Sequence, residues 1–394
     1  MRTLRRFFSR AVLGLLISVW QAGAPVNAVA ADYYVSTTGS DSTGNGSSSN
    51  PWATIAFAST QIGPGSTVHV EAGTYTGSFS TNASGTSTAY VTYVSATKWG
   101  AKLVATSGST WSNSGNYVAI VDFDVAGPVG GINGIYTQGN ATKIVGNNVH
   151  SVLNSGTCNS IGGSGINLNG PNAQVIGNFV HDNGPYPIYC PFIHGIYFLS
   201  LGGSAYNNIA FNNTGWGIQL WHHASHEVLA NNTLFNNLTG GIIVGSSAKA
   251  DNDTAVFNNI VYKNQGDGGI CEEGKTGTNN DYENNLVSDN FCANCSPPQA
   301  RDWCLQNGNT HAEPAALDGD PDPGFVKFTG DTSGNYQLQS GSAAINTGTS
   351  AVTLNDGTVV DAPKADFDTD LDGAARPQCG AWDVGAYEYN GRCP

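Results

Sequence analysis

The chain has 394 residues with a single methionine, and only 11% of its residues are charged. Lysine and arginine number 15 against 29 aspartates and glutamates, a formal net charge of −14. So few cations exclude the basic surface that nucleic acid requires, and the acidic balance also opposes anionic lipid. Long apolar runs are missing as well. The run from Ala11 to Trp20 is too short to span a bilayer, and no later stretch is long enough. Helical periodicity is nearly absent. In its place stand 51 glycines and many Asn, Ser and Thr, a composition that opposes a helical enzyme and fits a long β-rich chain.

What the N-terminus does carry is the pattern of an export signal. Arg2, Arg5, Arg6 and Arg10 form a basic head, an apolar run follows, and Ala28-Val29-Ala30 is a small-residue cleavage site. Residues 1–30 are therefore expected to be removed, which takes the formal charge to −18 once those four arginines are lost. A secreted, soluble, monomeric protein is expected, with no nucleic acid or membrane as partner. All eight cysteines lie beyond the signal, and an even number in an exported chain points to disulfides.

Residues 31–129 open with short alternating segments, Tyr33-Tyr34-Val35-Ser36 and Thr67-Val68-His69-Val70 among them. Ala53 to Gln61 reads as one short helix. An opening of this kind would cap a stack that otherwise exposes its core and a strand edge. From about residue 130 to 310 the chain repeats. A Gly-Ile pattern places Gly at 134, 165, 195, 217, 241 and 269, in steps of 31, 30, 22, 24 and 28. A second column places Asn at 147, 178, 208, 232, 259 and 285, and a third at 183, 213, 237, 264 and 290. Interleaved columns that drift together mark a repeat architecture, and a unit this short holds strands separated by Gly/Asn turns, not pairs of helices. Stacked coils would put Ile166, Ile196, Ile218, Ile242 and Ile270 in one inward column and let the asparagines hydrogen-bond along theirs.

These pieces resemble the right-handed parallel β-helix proteins of the pectate-lyase-like superfamily. The resemblance rests on Tyr34-Val35-Ser36 with Gly39-Ser40-Asp41, on Val68, Val70 and Gly73-Thr74-Tyr75, and on the Asn/Gly coils. It implies an all-β solenoid and carbohydrate-directed activity. The tail, 311–394, resembles the C-terminal module of bacterial secreted β-helix proteins, through Asp320-Pro321, Gly324-Phe325, Gly341-Ser342-Ala343-Ala344-Ile345, Arg376-Pro377 and Asp383-Val384-Gly385-Ala386-Tyr387-Glu388. Such modules often precede a cell-surface anchor; here a β-rich structural cap is the expected role. Asp368, Asp370 and Asp372 alternate as in a calcium loop but lack the later Glu, so no metal or other cofactor is expected.

Between the fold columns the decoration changes in the middle coils. The outward positions gather His194, Tyr197, Trp216, Gln219 and Trp221, with Asn167 and Asn169 on the neighbouring rung. Exposed indoles beside amides suit a sugar ring, because aromatic faces pack on C–H surfaces while amides fix hydroxyls. Two proline- and cysteine-bearing loops, Ser151 to Gly163 and Asp182 to Ile193, enter these strands at the same place in successive coils. A Cys158–Cys190 disulfide walling the groove is expected from that placement.

The chemistry expected first is polysaccharide cleavage by β-elimination, with His194 as base, Tyr197 as acid and His222 as a supporting base. His194 shares parity with inward Ile196, so it reaches the groove only if the backbone bends; otherwise it is a capped turn histidine. The indoles have a bland alternative too, packing under a long loop. His150 and His181 share a column with Phe211, Phe235 and Tyr262 and read as a stacked ladder. The turn histidines His222, His223 and His226 make a poor zinc motif. The first alternative is a glycoside hydrolase drawing on Asp182, Glu227, Glu272 or Glu273, for which solvated surface positions are the ordinary reading. The second is a non-catalytic glycan-binding or cell-surface β-helix. An extracellular polysaccharide is the expected partner in each case.

Overall fold

The computed structural model describes residues 31–105, 107–127, 132–153, 158, 162–361 and 368–392. The predicted export signal lies outside them. The protein is a right-handed parallel β-helix. Its coils contribute to three parallel sheets, of 11, 9 and 9 strands. One coil runs Asn133–Thr137, Lys143–Val145, Asn148–His150, and the next begins at Gly163–Leu168. Each of these strands lies beside its counterpart one coil on.

Registration follows the sequence columns. Ile135, Ile166, Ile196, Ile218, Ile242 and Ile270 are successive register partners and fully buried. Burying a side chain of this size contributes roughly 1.5–3 kcal/mol, and the column repeats that gain on every rung. Neighbouring Leu168, Phe198 and Leu220 form a second inward column. At the turns the asparagines do the same for polar groups. Asn147, Asn178, Asn208, Asn232 and Asn259 each donate an Nδ2–H to the Oδ1 of the next asparagine, at 2.9–3.1 Å, and Asn285 receives the last of these bonds. Asn183, Asn213, Asn237, Asn264 and Asn290 form the parallel ladder, which Asp302 terminates by accepting from Asn290 at 2.8 Å. Every ladder asparagine also serves backbone groups that the turn would leave unpaired in a dry interior.

A strand and a short helix lie at the N-terminal end of the stack. Strand Asp32–Val35 pairs with Thr67–Val70, and the expected helix spans Ile55–Gln61, with the Thr54 side chain accepting from the Phe57 amide. Trp52, Ile55 and Ala58 seal the apolar core.

The tail lies along the side of the stack. Its two antiparallel hairpins, Phe325–Lys327 with Asn335–Leu338 and Ala351–Thr353 with Val359–Asp361, belong to a segment that buries Phe211, Phe235 and Tyr262 under Phe325, Tyr336 and Leu338. Trp382 and Leu354 cover Phe257 in the same way. The Asp370 carboxylate accepts from the backbone amides of Asp372, Ala374 and Glu388, so it ties a turn together. Among the described residues no group of His, Cys, Asp or Glu is placed to hold a metal, and no helix is long and apolar enough to cross a membrane.

Candidate active site

The second sheet presents strands Asn133–Thr137, Gly163–Leu168, Ile193–Phe198, Trp216–Leu220, Gly240–Asp251 and Gly268–Thr276 side by side. Their outward side chains floor a groove across successive rungs, with a cavity of about 570 Å³. Asn167, His194, Tyr197, Trp216, Gln219, Trp221 and His222 all line it. One wall is the loop through Pro191 and Phe192, tied down by a Cys158–Cys190 disulfide. The Tyr189 hydroxyl on that loop accepts from Asn294 Nδ2 at 3.0 Å, which fixes the loop tip beside the later coils. Cys271–Cys304 links register partners on adjacent rungs, and Cys292–Cys295 closes a short turn.

Several side chains sit deeper than their sequence positions imply. His194 is 5% exposed, and its Nδ1 accepts the Trp216 backbone N–H at 3.2 Å. Burial pushes its pKa down to about 3, so the ring is neutral and its hydrogen resides on Nε2. The expected base role does not suit such a ring, which can donate from Nε2 but has no free nitrogen lone pair. Trp216 is 3% exposed, packed with Ile243, Cys271 and Cys304. The next rung explains why: register partner Gly240 leaves room for the indole, since a Cβ there would lie 2.1 Å from its Cζ3. Trp216 is therefore part of the floor, and Trp221, partly exposed, is the indole that faces the groove.

Tyr197 packs edge-on to His194, with ring centroids 5.0 Å apart. Burial pushes its phenol up to about 12, partly offset by a hydrogen bond from Gln219, so the hydroxyl stays protonated. The His222 ring lies 6.1 Å from the Tyr197 ring, and its Nδ1 is 3.2 Å from Ser247 Oγ. Burial, then the neighbouring His223 charge, lowers the pKa of His222.

The carboxylates divide sharply. Glu272 points inward and accepts from Tyr282 Oη, Asn309 Nδ2 and the Gln306 amide. Glu227 is also interior, beside Asp251 and Thr254. Neither is the solvated surface group its composition implies. Asp182 lies on another flank, bonded to His181. Glu273 alone of the sequence candidates faces the groove, one residue beyond inward Glu272. Sequence reasoning missed its companion, Asp267, whose Oδ1 accepts from Asn294 Nδ2 at 3.0 Å. Burial first, then the charge of Asp267, raises the pKa of Glu273, with Arg301 acting the other way. Among the described residues no lysine or arginine lines the cavity.

No family model matches the chain, and no curated protein does. Solved structures do. A pectate lyase superposes with a TM-score of 0.58 at 18% identity, over 91% of this chain and 96% of its own. An alginate lyase from a Paenibacillus species gives 0.40 at 14% identity, over 66% and 94%. The first likeness establishes the parallel β-helix fold.

Proposed function

We propose that the chain is a secreted, glycan-cleaving enzyme that hydrolyses an uncharged polysaccharide in this groove. The reading rests on one observation: Asp267 and Glu273 share a cavity with Tyr197, Trp221 and polar amides, with no lysine or arginine lining it among the described residues. Glycoside hydrolysis needs one carboxyl that stays protonated and one that stays charged. Glu273, its proton held more tightly by burial and by the charge of Asp267, is the donor to the leaving oxygen. Asp267 is the carboxylate that activates water or attacks the sugar. Trp221 offers a face for a sugar ring, while Asn167 and Gln219 meet hydroxyls. His194 donates from Nε2 toward the substrate and orients it.

A second reading keeps elimination, with Tyr197 as acid and His222 as base. Its support is the protonated phenol beside an imidazole of lowered pKa. Against it stands the groove's charge. Elimination abstracts the proton next to a uronate carboxylate, which the enzyme must bind and neutralise, and a negative groove repels that group. A panel of neutral and uronate polysaccharides, read for new reducing ends and for unsaturated uronate absorbance, separates the readings. Reducing ends from neutral glycans without unsaturation are expected. Unsaturated products would replace hydrolysis by elimination; silence in both, with retention on a glycan column, would leave a binding protein.

A further inference from the structure

A second cavity, of about 690 Å³, opens on the flank away from the groove. Its floor is the outer face of the third sheet, where His150, His181, Phe211 and Phe235 stack with centroids 4.8–5.4 Å apart. The tail covers the ladder where it is apolar: Tyr336 and Phe328 pack on Phe235 at 4.4 and 5.3 Å. The two imidazoles lie where this cover gives way to the cavity. Trp99 forms one wall, its Nε1 donating to the Gly146 carbonyl at 2.8 Å and its ring meeting Phe179 edge-on. Gln337 and Tyr387 of the tail form the opposite wall.

The polar groups here are held in place. Asn148 Nδ2 donates to Asp124 at 2.8 Å, which fixes the amide; its oxygen then faces His181 Nε2 at 3.0 Å. His181 Nδ1 bonds Asp182 at 2.7 Å, and His150 Nε2 bonds Asp124 at 3.1 Å. Gln337 Nε2 of the tail donates to Asp372 Oδ2 at 2.6 Å, which orients this amide and carboxylate. An opening within the roughly 300–1,000 Å³ of small-ligand sites, walled by aromatic rings and carrying a few oriented amides and carboxylates, has the composition that recognises sugar. Asp372, the one carboxylate among the described residues that line it, disfavours anionic ones.

We infer that this flank cleft is a second glycan site, separate from the groove, which holds a short run of uncharged pyranose units and anchors the polymer to the enzyme. The choice of sugar as ligand class rests on the function proposed above. The test is affinity electrophoresis of the full chain, Trp99→Ala and Gln337→Ala through gels containing each neutral polysaccharide of the panel, with cleavage scored separately by reducing ends. Both variants are expected to bind at least tenfold more weakly than wild type while unfolding at the same temperature as it does. Should Trp99→Ala fold poorly, Gln337→Ala, which alters a partly exposed side chain, decides alone. Retention of the variants equal to that of wild type overturns the proposal, as does a wild-type chain retained by no member of the panel. Failure of the groove reading would look different: no cleavage, with retention still dependent on Trp99 and Gln337.

Discussion

Glu272 and Glu273 are adjacent yet belong to different worlds, because strand side chains alternate between faces. The first is a buried structural carboxyl with several donors; the second stands in the groove with its proton affinity raised. Glu273→Gln removes the proposed proton donor while keeping shape, so kcat should fall by about 10²–10⁴-fold with little change in melting temperature. Steady-state kinetics on a cleaved glycan checks this. In wild type the alkaline limb of the pH–rate profile should lie above the ordinary glutamate value of about 4.3, since Glu273 works only when protonated. A variant as active as wild type would exclude the donor role. At this scale the sequence showed which residues share a groove better than how deep each sits. Trp216 and His194 fell in the right columns, but their depth depends on Gly240 on one rung and on the Trp216 amide on another. Asp267 escaped notice because it stands two places before the repeating glycine, in the column of Ile193 and Thr239, where no other rung carries charge.

Among elements, the turns carry more specificity than the strands. The residues just before one asparagine ladder, Asn207, Asn231, Asn258 and Asn284, have φ of 53–55°. Their side-chain amides donate to the tail at Thr369, Asp383, Thr349 and Thr347, so the column that turns the coil also docks the module. The ladders and the inward columns were legible as spaced repeats. The tail's seat on the flank was not, because nothing in a local pattern says which face a later segment covers. Asn232→Ala would remove the acceptor of the Asn208 backbone N–H and the side-chain donor to the Ala205 carbonyl in a dry interior, and would leave Asn259 Oδ1 with only the backbone N–H of residue 232. It should cost about 3 kcal/mol or more, read from chemical denaturation. Cys158→Ser tests the wall loop instead. Cys158 is exposed, so its loss frees the loop without opening the core. A rise in KM with kcat held is expected; unchanged kinetics would remove the loop from the site.

For the whole molecule the decisive property is the number of carboxyls that fold into places where charge is unwelcome. Burial pushes Asp281 up to about 7, with Glu283 adding to it, and Glu313 up to about 9. Glu227 and Asp251, interior neighbours sharing the Thr254 hydroxyl, are raised as well, by burial first and then by neighbouring negative charge. A carboxyl whose folded pKa exceeds its unfolded value binds more protons in the native state. Its contribution is complete below the unfolded value, about 4, and disappears as pH rises through the folded one. Asp124 and Asp182 work in the opposite sense. Histidine partners hold their pKa values down against burial, so they lose stability only as acid protonates them. The raised groups outnumber these, and the formal charge of −14 is reached only when all of them are ionised, so each deprotonation adds self-repulsion. Melting temperature should therefore peak in mild acid and decline from about pH 4 toward pH 9. Glu313→Gln should flatten the alkaline end, because an amide cannot lose the proton that the site requires. Thermal unfolding of wild type and variant across that range measures it. A curve rising from pH 5 to 9, or a Glu313→Gln curve parallel to wild type, would mean that these carboxyls are ionised in the fold and that other groups set its response to pH.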